Sequence, residues 1–418
     1  MQPAIRKLFN EQFSQEQYHQ ILEAIKKLAP GQLDFRVAET PVFISADLKN
    51  KMLQSGEDII DVLTSEHFIS ITESSIPDFL NISGENKFPE MMVLDFGIYK
   101  NKNGDYEPQL IEIQGFPSLF CYQYFSDLIL KEHFQMPKNY SSYLNDYNPD
   151  SYLQLLKDII LDKENPEQVI LLELFPEHQK TRIDFALTEK LLGIKTVCLT
   201  KLVSEGNELF YLNEGVKTKI KRIFNRIIFD DLPKQHLKNT INLNHEFDVK
   251  WIPHPNWYYR ISKFALPFIE SEFVPQSFFL NEITTPLPLE DYVLKPLFSY
   301  AGMGVVLDVT QEIIDKIPDP ENWILQQKVN YADAIETPDE PAKLEIRLFY
   351  FKKKEWSRPK AVHNLARLSK GKMIGTRYNE GKNWVGGTIA YFEEPPQPIK
   401  GGSLFNRFQS LIRFNMLK

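Results

Sequence analysis

Apolar residues at helical spacing run through residues 8–29, LFNEQFSQEQYHQILEAIKKLA, and Pro30-Gly31 stops them. The first 90 residues read as mostly helical. The period then changes. Residues 91–119, MMVLDFGIYKNKNGDYEPQLIEIQGFPSL, alternate in twos on either side of Asn103-Gly104, which predicts a β-hairpin. FCYQYFSDLILKEHF, residues 120–134, returns to a helical period. Past Asn165-Pro166 strand and helix alternate: QVILLEL is a strand, EHQKTRIDFALTEKLLG a helix closed by Gly193, and IKTVCLT a strand. ELFYLN and a strand through RIIFDD follow. This predicts an open parallel sheet, which binds small ligands at the carboxyl ends of its strands. From about residue 250 come DYVLKPLFSYAGMGVVLDV as strand, glycine turn and strand, the short strand NWILQQKV, and a meander from Lys343 to Lys372. TRYNEGKNWVGGTIAYF reads as a loop and a strand, and residues 403–417 as a terminal amphipathic helix. The expected units are residues 1–164, 165–248 and 249–418.

Composition narrows the function. With 48 basic against 56 acidic residues the chain carries −8, so nucleic acid is not the expected partner. Two cysteines exclude a disulfide scaffold and a cysteine zinc site. No stretch approaches the ~20 apolar residues of a membrane helix. The N-terminus lacks a signal-peptide core. A cytoplasmic protein without membrane contact is expected. No HExxH or GxSxG occurs, so metallohydrolase and serine hydrolase chemistry has little support.

Four segments can carry chemistry. Lys295 ends an apolar strand before a turn holding Gly302 and Gly304. Glycines let backbone N–H groups approach a phosphate and lysine supplies a point charge, though a plain hairpin turn has the same look. Asp95 lies on one strand of the hairpin, and Glu112 and Gln114 share one face of the next. Two carboxylates and an amide oxygen suit Mg²⁺; a solvated ribbon face is the alternative. Glu345 and Arg347 share a strand face, Arg367 and Arg377 follow, and then Gly386-Gly387; a solvent face would read similarly. Arg226, with Arg222 and Asn225 near a strand edge, can clamp a carboxylate, or form a surface ion pair with Asp230 or Asp231.

Together these pieces resemble the ATP-grasp ligases. Lys263 in RISKFALPF and Lys295 in VLKPLFSYAGMGV look like the family's two phosphate-binding lysines, the second leading into the glycine-rich loop with Ser299, Gly302 and Gly304. WILQQKVNY resembles the hinge strand, which implies adenine contacts from Gln327 and the backbone of Lys328, Val329 and Asn330, and a ribose contact from Asp333. The family's closing acidic strand and Glu-x-Asn do not follow Gly387. Their counterpart lies near the start, in LDFGIY and LIEIQ, with Gln114 where Asn is usual. That order resembles a circularly permuted ATP-grasp of the eukaryotic glutathione synthetase kind, with an inserted parallel-sheet substrate domain. The resemblance implies an α/β (α+β) fold, ATP and Mg²⁺ as cofactors, and Asp95, Glu112 and Gln114 as metal ligands. It implies Arg347 and Arg367 at the γ-phosphate or the reacting carboxylate, and Ser118, Arg226, Gly386 and Gly387 on the substrate side.

The implied reaction joins a small carboxylate to an amine through an acylphosphate. Two other outcomes stay open: a phosphotransferase that stops at phosphoryl transfer, and a nucleotide-binding protein without catalysis. A homodimer is one arrangement open to the chain. The glycine turn lacks the carboxylate that the glutathione synthetase loop contributes, so glutathione is not carried over as product.

Overall fold

The computed structural model describes residues 2–116, 119–229, 232, 237, 241–299, 302–375 and 378–395. Ser118, Asp230, Asp231, Arg377 and the helix expected over residues 403–417 lie outside them. The hairpin forms as Met91–Lys100 and Tyr106–Gln114. Asn101 makes the turn: its side-chain oxygen accepts from the N–H groups of Asn103 and Asp105, each at 2.9 Å. Such local side-chain bonds are why Asn favours turns.

The hairpin is not a free ribbon. Met91–Lys100 pairs antiparallel with Ala342–Phe351, in register from Asp95 opposite Arg347 to Met91 opposite Phe351. Ala342–Phe351 pairs on its other side with Lys360–Ser369, which pairs with Gly386–Thr388. Asp333–Ile335 joins at the start of Ala342–Phe351. Strands from both ends of the chain therefore build one six-stranded sheet.

Period two gives this sheet two faces. Leu94, Phe96, Leu344, Ile346, Leu348 and Tyr350 pack with Met52, Ile59 and Ile60 of the helix Ala46–Leu63. On the other face Val93, Phe349 and Phe351 pack with Phe120 and Tyr152 from the helices Phe120–His133 and Pro149–Ile160. Further along the same strands, residues of this second face are charged: Asp95, Glu345, Arg347 and Arg367. A half-apolar, half-charged face is what opens a polar site beside a dry core.

The middle of the chain holds the expected parallel sheet, in the order Lys250–Ile252, Arg222–Asn225, Val169–Glu173, Lys195–Cys198. Its first strand lies past residue 248, so the sheet crosses the expected boundary. The strand expected through RIIFDD ends at Asn225. A separate antiparallel sheet of Val203–Glu205, Glu208–Asn213 and Val216–Ile220 stands beside it. Another antiparallel sheet joins Ser277–Phe279, Trp323–Gln327 and Tyr292–Pro296. The return strand expected after the glycine turn is reduced to one bridge, Leu294 to Val306. The N-terminal 90 residues are mostly helical as expected, and they also supply Val42–Ile44, which pairs parallel with Ala390–Glu393. No helix among the described residues is long and apolar enough to cross a membrane.

Candidate functional site

The charged half of the central sheet is knitted together. Arg347 grips Asp95 with both ends of its fork, Nε to Oδ1 and Nη2 to Oδ2, each at 2.6 Å. Arg367 adds a bond from Nη2 to Asp95 Oδ2 at 3.0 Å and a very short one to Glu345. Tyr331 donates to the other Glu345 oxygen at 2.9 Å. Cross-strand register places these groups opposite each other: Glu345 faces Arg367 and Arg347 faces Asp95. Arg347 and Asp95 are buried, with side chains 8% and 1% exposed, whereas Arg367 keeps 32%. Arg367 is thus the arginine that a ligand can reach.

Glu112 sits at the end of the hairpin, opposite Asp95. The next residues hold it against the segment that carries Lys263. Gly115 donates its N–H to Ile261 O at 2.9 Å, and a Cβ there would fall 2.3 Å from the Trp257 carbonyl oxygen. Only glycine allows that approach. Lys263 Nζ lies 3.6 Å from Glu112 Oε2 and donates to Ser299 O at 2.6 Å. Lys295 Nζ donates to Ile111 O at 3.1 Å and to the Gln326 side-chain oxygen. Burial pushes the Glu112 carboxyl up, but Lys263, Arg347, Lys295 and Arg367 outweigh it and hold it down to about 2. Burial lowers Lys295 to about 8, against the pull of Glu112. Three chain regions, around residues 95–112, 263–299 and 345–367, thereby meet in one place. A cleft between the first two of these regions is bounded by Glu112, Gln114, Phe116, Lys263, Phe298 and Ser299, and the strands of residues 345–367 do not line it. It is open to solvent, and about 30 Å³ of it is free for water.

Several expected residues stand elsewhere or do other work. Asp95 is engaged by both arginines, Oδ1 by Arg347 and Oδ2 by Arg347 and Arg367. Of the expected trio, Glu112 and Gln114 are bonded to each other, with Gln114 Nε2 donating to Glu112 Oε1 at 2.6 Å. No group of three His, Cys, Asp or Glu side chains among the described residues is placed for a metal ion. One carboxylate and one amide oxygen still fit Mg²⁺, which takes few protein ligands and completes its shell with phosphates and water.

Arg226 is 2% exposed, 3.4 Å from Asp184, with the Phe116 and Phe185 rings against it. It is a buried ion pair behind the cleft wall rather than an open clamp or a surface pair. Gln327 and Lys328 spend their backbone N–H groups on the carbonyls of Gln276 and Asp291, at 2.9 and 2.7 Å. Val329 and Asn330 follow them at the end of that strand. Asp333 lines a different cavity. Gly386 has its own structural reason: a Cβ would meet Arg36 O at 2.4 Å. Its neighbour Gly387 pairs with Arg367 and accepts from the N–H of Ala38. Gly302 and Gly304 turn with φ +73°, and a Cβ on Gly302 would lie 3.1 Å from Met373 Cε.

Sequence reasoning missed Gln326 and Tyr331. Gln326 is 1% exposed on a short strand, and such a buried amide needs a partner. The sequence WILQQ carries no alternation that separates Gln326 from Gln327; the tertiary structure buries the first and exposes the second.

No family model matches the chain, and no curated protein matches it. Among solved structures it is similar to a glutathione synthetase-like effector from Globodera pallida in its apo form. The TM-score is 0.54 at 13% identity, over 91% of this chain and 97% of that one. At that identity the likeness is one of fold. The chain has a mixed α/β, glutathione synthetase-like fold.

Proposed function

We propose that this chain is an ATP-dependent carboxylate–amine ligase of the ATP-grasp kind, in permuted order. The observation that carries the reading is the meeting of Glu112, Lys263, Lys295 and Arg367 from distant parts of the chain, in a molecule with a glutathione synthetase-like fold. The patch joins four cations, Lys263, Lys295, Arg347 and Arg367, to three carboxylates, Asp95, Glu112 and Glu345, so it favours an anion. Phosphoryl transfer asks the protein for in-line positioning and charge cancellation. Lys263 and Lys295 lie where they would take phosphate oxygens, exchanging their present carbonyl and amide partners for them. Arg367, held by Asp95 and Glu345, would meet the transferring group or the reacting carboxylate. Glu112 and Gln114 would hold Mg²⁺, which supplies charge neutralisation at the phosphate oxygens.

In the reaction a carboxylate oxygen bonds to the γ-phosphorus and ADP leaves. The amine then bonds to the acyl carbon, phosphate leaves, and the amine proton passes to solvent. The acylphosphate must be kept from water. A lid that closes over bound nucleotide would do this. The turn at Gly302 and the loop at Met373 touch and are the parts that would move.

The test is ADP release from ATP and Mg²⁺ with paired pools of small carboxylates and amines, followed by mass analysis of the product. Release that needs both pools, with an amide product, supports the ligase. A stable phosphorylated product without amine would mean a phosphotransferase. A second reading, nucleotide binding without turnover, is favoured by Gln114, which stands where the resemblance leads one to expect Asn. ATP binding with no ADP release from any pool would decide for it.

A further inference from the structure

Beside its charged groups the cleft has an aromatic wall. Phe116, Tyr258 and Phe298 line it, and among the described residues that line it only Glu112 and Lys263 carry charge. Phe116 and Phe298 are partly buried against one apolar cluster and keep the rest of their surface free. The rings hold one another. Phe116 meets Tyr258 edge to face with centroids 5.7 Å apart. Tyr258 meets Phe229 at 6.0 Å and Phe298 meets Tyr259 at 5.2 Å, again edge to face. Such pairs fix the ring planes, so the wall has its shape before a ligand arrives. It starts just past Glu112 and Gln114, and it ends at Phe298, next to the Ser299 carbonyl that Lys263 holds.

The far end of a substrate in this cleft would rest on rings and not on charges. Arg226, the expected clamp for a carboxylate, pairs with Asp184 and lies behind the Phe116 ring. A dicarboxylate or a dipeptide would bring a remote charge to a wall that cannot pair it. An aryl group would bury apolar area there and add one more ring to the set. We propose that the cleft takes an aromatic monocarboxylate, its ring against Phe116, Tyr258 and Phe298 and its carboxylate toward Lys263. The place of the ring comes from the cleft lining; which end of the ligand faces the phosphate rests on the ligase reading.

Calorimetric titration of the full chain tests this, with and without Mg²⁺ and a non-hydrolysable ATP analogue. It compares 3-phenylpropanoate and indole-3-propanoate with butanoate and glutarate. At least one aryl acid should bind about tenfold or more tighter than both controls. Phe298→Leu stays apolar and loses the ring, and should weaken that binding about tenfold while affinity for the ATP analogue holds. Phe116→Leu should do the same, so the test stands even where one of the two does not fold. No binding of either aryl acid under both conditions would overturn the proposal. So would butanoate or glutarate binding as tightly, or an aryl affinity that survives both leucine changes. Leucine variants that lose the ATP analogue as much as the aryl acid would give the wall to adenine, and would also overturn it. ADP release separates this inference from the ligase reading. Turnover with glutarate and not with aryl acids would keep the ligase and overturn the aromatic substrate. Ring-dependent binding of an aryl acid, with no ADP release from any pool, would keep the aromatic site and overturn the ligase.

Discussion

Glu112 is an ionised carboxylate surrounded by four cations, and the proposed chemistry needs that charge. Glu112→Gln keeps shape and removes it. ADP-forming turnover should fall at least ~100-fold, about 2.7 kcal/mol of barrier, while the fold survives by circular dichroism with a lowered Tm; near-normal turnover would remove Glu112 from the metal. Lys295 adds a pH signature. Its pKa of about 8 lies below the ordinary 10.5, so between these values the unfolded chain binds the proton better. This group's contribution to stability therefore rises with pH across that window. Its charge, which would meet phosphate, is lost over the same range. ATP affinity should fall as pH rises through about 8 with circular dichroism unchanged, and flat calorimetric affinity from about pH 7 to about pH 9 would contradict it. Glu112 works in the acid window: its stabilisation is present above its ordinary 4.5 and is lost as pH falls toward about 2. Asp95 separates two roles. As the buried partner of Arg347 and Arg367, its change to Asn should cost about 3–5 kcal/mol in a urea melt. A metal ligand would instead lose activity with stability intact.

The helix Ala46–Leu63 lies on the central sheet closely enough that Gly56 has no space for a side chain. A Cβ there would fall 1.9 Å from Tyr350 Oη, which is buried and has no hydrogen-bond partner. Gly56→Ala should destabilise by about 1–3 kcal/mol through overpacking. Tyr350→Phe should cost little alone and recover part of that loss in the double variant, as a double-mutant cycle of thermal melts would read. An additive cycle would mean that helix and sheet do not meet at this pair. At this scale much was legible. The period of two with a turn residue between its runs marked both strands of the hairpin, and Gly193 marked a helix end. Short elements were not. Val42–Ile44 exists because Ala390–Glu393 lies beside it, and three residues carry too little period to announce themselves.

Across the whole molecule, the strand Ala342–Phe351 depends on Met91–Lys100, about 250 residues earlier. A fragment starting at residue 249 would expose that edge and the charged patch without Asp95. It should not fold alone, as judged by amide dispersion in NMR, and should gain order when co-expressed with residues 1–164. A well-folded fragment would show the sheet to be separable. The sequence by itself determined the local facts: which segments alternate in twos or turn every 3.6 residues, where they stop, and that Lys263, Lys295 and Glu112 are charges placed among apolar neighbours. These follow from backbone geometry and from the cost of burying charge, and both act within a few residues. Only the tertiary structure decided that Asp95 belongs to two arginines, that Gln326 and not Gln327 meets Lys295, that Arg226 is sealed behind Phe116, and that Asp333 lies by Arg6. A side chain's partner depends on which strands become neighbours. That choice is made by the summed packing of the whole sheet, and no residue carries it alone.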